Sequence, residues 1–302
     1  MSQETEPQNV VVDWQKGTTK TITQIDSMIV RNNDTIIMST NSKSQYTFQI
    51  TNLKDTVYTI LFKQITFDDK IELESELFDA EEANKVLKQL LTDAQKKIKG
   101  FEYSFLVDKN TALAYEVLNQ KELEKFTEDL VKIVFDQLIK LSDKKPNQAE
   151  SQELQLQIKE YVKEMMPAAM ETMLNSFNYI FQAYSFPFIL DETFTTEIEV
   201  SDVDQIQYGG IENKAQLIVN SSLKKDNLNL EYKYIYDKEI AFQNMVLAEG
   251  NENNITIDEF DLDERVISEF NIKTSWIKSS NSFINVRLGP ITVRNVTYVT
   301  IK

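Results

Sequence analysis

The sequence predicts an α+β protein in which antiparallel, curved β-meanders at both ends of the chain wrap a central group of about three helices. Three observations predict it. Runs rich in Thr, Ile and Tyr, broken by Asn/Asp turns, occupy residues 17–67 and 193–301. Apolar residues recur at helical spacing between them, over 80–99, 121–141 and 149–184. Strand runs thus stand apart from helix runs, which is the order of an antiparallel α+β chain and not of a parallel, doubly wound one.

The elements follow in order. MSQETEPQ is polar, and residues 1–12 read as a disordered tail before a domain at 13–302, or two joined halves at 13–145 and 146–302. Strands at 17–30, 35–50 and 56–67 are separated by Asn/Asp turns at 31–34 and 52–55. A helix follows, with Asp79 as N-cap, Lys in its last turn and Gly100 just beyond. Residues 101–119 form a hairpin turning at Asp108–Thr111. A second helix spans 121–141, and a polar connector surrounds Pro146. The long helix from Ala149 ends near Tyr184, because Ser185-Phe186-Pro187 breaks it.

Strands return at 193–200, 215–223 and 229–237. KEIAFQNMVLAEG fits helix or strand, and 250–264 reads as an acidic loop. The remaining strands are 266–277, with Val266, Phe270, Ile272, Thr274 and Trp276 on one face, then 283–288 after a turn at Ser279–Ser282, and 291–301. At fold level alone, meanders curling around helices are similar to the half-barrels of bacterial envelope lipid and lipoprotein carriers; no motif carries that likeness.

Composition excludes more chemistry than it suggests. The 302 residues contain no His and no Cys. Imidazole bases, Ser-His-Asp and Cys-His engines, disulfides and cysteine metal sites are all ruled out. A net charge of −16 without a basic run disfavours nucleic acid. No uninterrupted apolar stretch is long enough to span a bilayer as a helix. No cofactor or metal is expected, and the oligomeric state is open. The opening Met can follow a removed export signal, and the Thr/Asn/Tyr-rich strands suit a periplasmic or cell-surface protein.

Four of the eight methionines fall in one stretch of the long helix, at Met165, Met166, Met170 and Met173, with Phe177 and Phe181 close behind. Glu160, Glu164, Glu171, Asn175, Asn178 and Gln182 fall on one narrow strip, so the helix should be embedded on its other sides. Ala169, Thr172, Ser176 and Ala183 line a small-residue flank. Pro167 sits near the polar strip, where a kink opens to solvent. Met166, Met170, Met173, Phe177 and Phe181 are the candidate wall for an apolar ligand, since methionine suits adaptable surfaces. The competing reading is ordinary core packing.

Arg287 and Arg294 form a candidate anion site. A two-residue turn at Gly289-Pro290 puts Asn285 opposite Arg294 and Arg287 diagonal on the same face. Asp68-Asp69, Asp191-Glu192 and the cluster Asp258, Glu259, Asp261, Asp263 and Glu264 could serve acid–base chemistry, or the cluster could bind calcium, but a chain with 48 acids produces such groupings freely. The expected function is a non-enzymatic, exported binding protein for an apolar or lipid-like molecule or a second polypeptide. The alternatives are a structural or interaction module with a dry core and a carboxylate-based hydrolase.

Overall fold

Asn33 and Asp55 make the first two turns in the left-handed region (φ +52° and +55°), which Asn and Asp tolerate better than other side chains. They join β1 (Thr19–Asn32), β2 (Thr35–Lys54) and β3 (Val57–Leu73). The computed structural model describes residues 6–74, 80–141, 148–200, 213–249 and 255–302. β2 and β3 run past their expected ends. Asp68–Lys70 lie beyond the expected end of the third strand, yet they pair with Asn41–Lys43 of β2, which pair in turn with polar and apolar residues of β1.

Helix α1 (Ala80–Ile98) ends at Gly100, whose φ of +83° no β-carbon opposes. The Asp79 cap and the Pro146 connector lie outside the described residues. β4 (Glu102–Asp108) and β5 (Ala114–Val117) form the expected hairpin, where Asp108 Oδ1 accepts from the Asn110 and Thr111 amides at 2.8 and 3.1 Å. Helix α2 (Gln120–Leu141) leads to α3 (Gln148–Phe181), extended by a single 3-10 turn to Tyr184.

The second meander comprises β6 (Thr193–Val200), β7 (Asn213–Lys224) and β8 (Asn227–Tyr236), then β9 (Phe260–Asn271), β10 (Trp276–Leu288) and β11 (Ile291–Ile301). The ambiguous segment is helix α4 (Lys238–Glu249), capped by Asp237 Oδ1 on the Glu239 and Ile240 amides. Three expectations are corrected here. The acidic stretch is strand from Phe260 onward. The expected strand 266–277 is broken at 272–275, where Asn271 Oδ1 accepts from the Lys273 and Thr274 amides and Ser275 turns with φ +56°. Ser279–Ser282, taken as a turn, lies inside β10, because its hydroxyls have partners on the same face: Ser280 meets Ser268 at 3.0 Å.

The two meanders are one open, curved sheet of 11 antiparallel strands, ordered β5-β4-β3-β2-β1-β11-β10-β9-β8-β7-β6. Its centre is the pairing of first and last strands, from Ile22↔Ile301 to Asn32↔Ile291. The N-terminal segment joins the structure earlier than a tail through residue 12 implies. Gln8 bridges Phe188, and Val10, Val12 and Trp14 are buried. No described helix is long and apolar enough to cross a membrane.

The end of α3 packs on one face of the sheet. Phe177 meets Phe48, Phe62 and Phe105 of β2–β4, and Phe181 meets Phe48. Tyr184 reaches the other half: its hydroxyl donates to the Ser275 carbonyl at 2.5 Å and accepts from the Ile277 amide at 3.2 Å. Trp14 stacks on Trp276 at 4.9 Å and touches Phe181 at 5.3 Å. A second, smaller core joins Ala241 of α4 to Phe260, Ile284, Val286 and Leu288.

Candidate functional site

Register decides which side chains share the face beneath α3. Directly paired residues of antiparallel strands point the same way. Ile22, Gln24, Asp26, Met28 and Val30 of β1 therefore align with Tyr46, Ser44, Ser42, Thr40 and Met38 of β2, and with Ile301, Val299, Thr297, Asn295 and Val293 of β11. An aromatic floor at one end gives way to a polar belt at mid-strand.

Asp26 anchors the belt. It accepts from Thr297 Oγ1 at 2.7 Å, Gln24 Nε2 at 2.9 Å and Ser42 Oγ at 3.3 Å. Farther along, the Ser268–Ser280 pair, the Tyr179–Ser282 hydrogen bond from α3 and the bond from Tyr236 to Glu264 at 2.5 Å continue it. Glu264 is 1% exposed, so its carboxyl is satisfied by hydrogen bonding within the protein and not by bulk water. Burial raises the Tyr46 hydroxyl above its ordinary pKa, and the Asp26 charge adds to the effect.

Asp69 lies on this face across Ser42 from Asp26. Partial burial raises its carboxyl pKa, opposed by the Lys70 amide and reinforced by the charges of Asp26 and Asp68. A carboxyl with a raised folded-state pKa favours the folded state below its unfolded value of 3.8 and loses that contribution as pH rises through the folded value. Asp69→Asn is therefore expected to unfold at higher urea than the native chain at neutral pH, with the difference vanishing in acid. Equal midpoints at pH 7 would contradict this.

Between belt and helix lies a cleft of about 170 Å³. Gln24, Tyr46, Phe62, Tyr103 and Phe105 form its sheet side, and Thr172, Met173, Ser176, Phe177 and Ile180 its helix side. Of the expected wall, Met173 and Phe177 line this cleft. Met170 is half-buried against the main core, while Met166 (8% exposed) and Phe181 (0%) lie within it.

The helix itself departs from expectation. Thr172 and Ser176 are exposed, Ala169 half-exposed, and only Ala183 of the small-residue flank is buried. The open sheet leaves that flank uncovered. The polar strip is solvated at Glu160, Glu164 and Glu171, but its far end is used internally, where Asn178 bonds the main chain of Ala114. Pro167 is exposed, on the solvent side as expected.

The remaining candidates are dispersed. Asn285 does pair with Arg294 across the Gly289-Pro290 turn. Both arginines are exposed, and Arg287 donates to the Asp258 carbonyl at 3.5 Å. Strand alternation splits the acidic cluster, with Asp261 and Asp263 exposed and Glu264 buried on the other face. Among the described residues no three His, Cys, Asp or Glu are placed to hold a metal ion. Asp68 and Asp69 fall on opposite faces, and Asp191 occupies an exposed turn at φ +56°. Gln24, Asp26, Tyr46 and Tyr103 are the residues sequence reading missed. The two-residue spacing of Gln24/Asp26 and Ser42/Ser44 was the available signal.

No protein-family model matches the chain, and no curated protein matches it. Among solved structures, a lipovitellin chain described for its lipid–protein interactions is 11% identical with a TM-score of 0.48; the match covers 96% of this chain and 25% of that one. An outer membrane channel from Pseudomonas putida F1 is 7% identical with a TM-score of 0.23, covering 96% and 97%. This chain thus spans a quarter of the lipovitellin chain's length. Likenesses of this degree carry no weight for function.

Proposed function

We propose that this is a non-enzymatic binding protein whose sheet curls around α3 and holds an apolar, lipid-like molecule between them, beside Met173 and Phe177. One observation carries the reading: an aromatic and methionine-lined cleft opens next to the exposed Thr172–Ser176 flank of α3. The face around it supports the same chemistry. Met28, Val30, Met38 and Ile71 lie beyond the polar belt on the α3 side of the sheet, half-exposed and outside both buried cores. An acyl chain running from the cleft across the belt would bury this apolar surface. Ligand pockets commonly measure about 300–1,000 Å³, so the 170 Å³ cleft holds only part of such a guest. The rest extends along the strands.

Native mass spectrometry of freshly purified protein is expected to show an added lipid-like mass that organic extraction removes. Extracted protein should bind a fluorescent fatty-acid probe. Met173→Trp, which fills the cleft, should weaken that probe about tenfold, equivalent to about 1.4 kcal/mol. Absence of both the bound mass and probe binding, or unchanged affinity in Met173→Trp, would reject the proposal.

A further inference from the structure

Strand β3 continues beyond its outer partner. β4 pairs with it only from Val57 to Lys63, while β2 accompanies it to Leu73. This one-sided stretch is pinned at both ends. At one end Gln64 exchanges main-chain hydrogen bonds with the α1–β4 link, to Phe101 at 2.9 Å and from Gly100 at 2.8 Å. At the other, the Asn84 amide of α1 accepts from Leu73 N–H and donates to Leu73 C=O, both at 2.9 Å.

Among the described residues the groups between the pins have no such partner. Glu74 N–H donates inward to Ile37 on β2 at 3.0 Å, and Leu73 points outward to Asn84. Alternation along an antiparallel strand then directs the N–H and C=O of Ile71, Asp69 and Phe67 outward as well. Among the described residues nothing hydrogen-bonds those six groups.

A cleft of about 780 Å³ lies beside this edge. One face of α1, through Asn84, Lys88, Leu91 and Gln95, forms a wall, five consecutive β3 residues, Asp68 to Glu72, line the opposite side, and the floor continues across β2 at Ser39 and Asn41 to Ser27 and Ile29 of β1. We propose that this cleft takes an extended segment of a partner polypeptide, which adds to β3 as a further strand. The free run suits about five to seven residues at ~3.3 Å each. Main-chain bonds to Phe67, Asp69 and Ile71 supply the affinity, and alternate side chains against Lys88 and Leu91 supply the selectivity. Lys43 and Lys88 offset Asp68 and Asp69 in the lining, while Lys70 is paired with Glu72 at 2.5 Å, so no single sign of charge dominates. A second copy is a poor occupant, because its own edge carries α1 alongside and cannot enter a cleft that a slim segment fits. The site is separate from the cleft beside Phe177 and does not depend on the lipid reading.

The test is a displayed library of random heptapeptides selected on the full chain. Enriched peptides should bind Asp69→Ala, which keeps the outward amide, and lose at least tenfold on Asp69→Pro, which removes it. Proline is tolerated where a strand's N–H faces away from its neighbour, and circular dichroism checks the fold of that variant. On the native chain, a bound peptide should slow amide exchange at Phe67, Asp69 and Ile71, and an N-methylated copy of it should not. Failure to enrich any peptide, equal binding to Asp69→Pro, or no change in exchange would overturn the proposal.

Discussion

Phe181→Ala is expected to lower the free energy of unfolding by about 3–5 kcal/mol, the range for emptying a buried aromatic site. Phe181 is fully buried, and its ring lies 4.7 Å from Phe177, 5.3 Å from Trp14, 5.4 Å from Phe48 and 6.4 Å from Tyr184. These neighbours come from the N-terminal segment, from β2 and from α3 itself. They are large and interlocked, so the void cannot close by a single rotamer change. Urea titration followed by tryptophan fluorescence would report the loss, since Trp14 and Trp276 stack beside the cavity. A change below about 1 kcal/mol, the median for point substitutions generally, would mean that this aromatic cluster is not the centre of the core.

Asn178→Ala should cost about 2–3 kcal/mol, as expected when two hydrogen-bonding groups lose their partners in a partly buried site. The Asn178 carboxamide accepts from the Ala114 amide at 2.6 Å and donates to the Ala114 carbonyl at 3.0 Å. β5 is the sheet's edge and only four residues long. The side chain thus replaces the neighbouring strand that β5 lacks and ties α3 to the edge. Asn178→Asp keeps the acceptor and loses the donor, so it should fall between the native chain and the alanine variant at neutral pH. An alanine variant as stable as the native chain would show that water replaces the clamp at no cost.

Asn84 and Asn119 act in the same way as Asn178. Asn84 holds both main-chain groups of Leu73, and Asn119 bonds the Ser104 amide and the Glu102 carbonyl. None of the three was legible as a clamp. In the sequence Asn178 is one member of a polar helical strip, and periodicity assigns such residues to solvent. Only the arrival of an edge strand beside the helix gives the amide another use. The serines of β10 misled for a related reason: Ser279–Ser282 has turn composition, but Thr300, Glu269, Ser268 and Thr297 lie across from its serines, and a belt of hydroxyls is as compatible with strand as a loop is with water.

Local information determined much of this protein. Asn and Asp at left-handed positions set the turns, Gly100 ended α1, and apolar periodicity located α1, α2 and α3 within a few residues. Composition alone removed histidine and cysteine chemistry. These features depend on neighbours within a turn or two of chain, where propensity and steric limits act directly. The pairing of β1 with β11, the merging of two meanders into one open sheet, and the entry of Trp14 beneath α3 were decided by tertiary structure. So was the division of the methionine and aromatic stretch into a packed end at Phe181 and a cleft at Met173. Each depends on contacts between residues far apart in the chain, and an apolar side chain satisfies such a contact equally well with many partners.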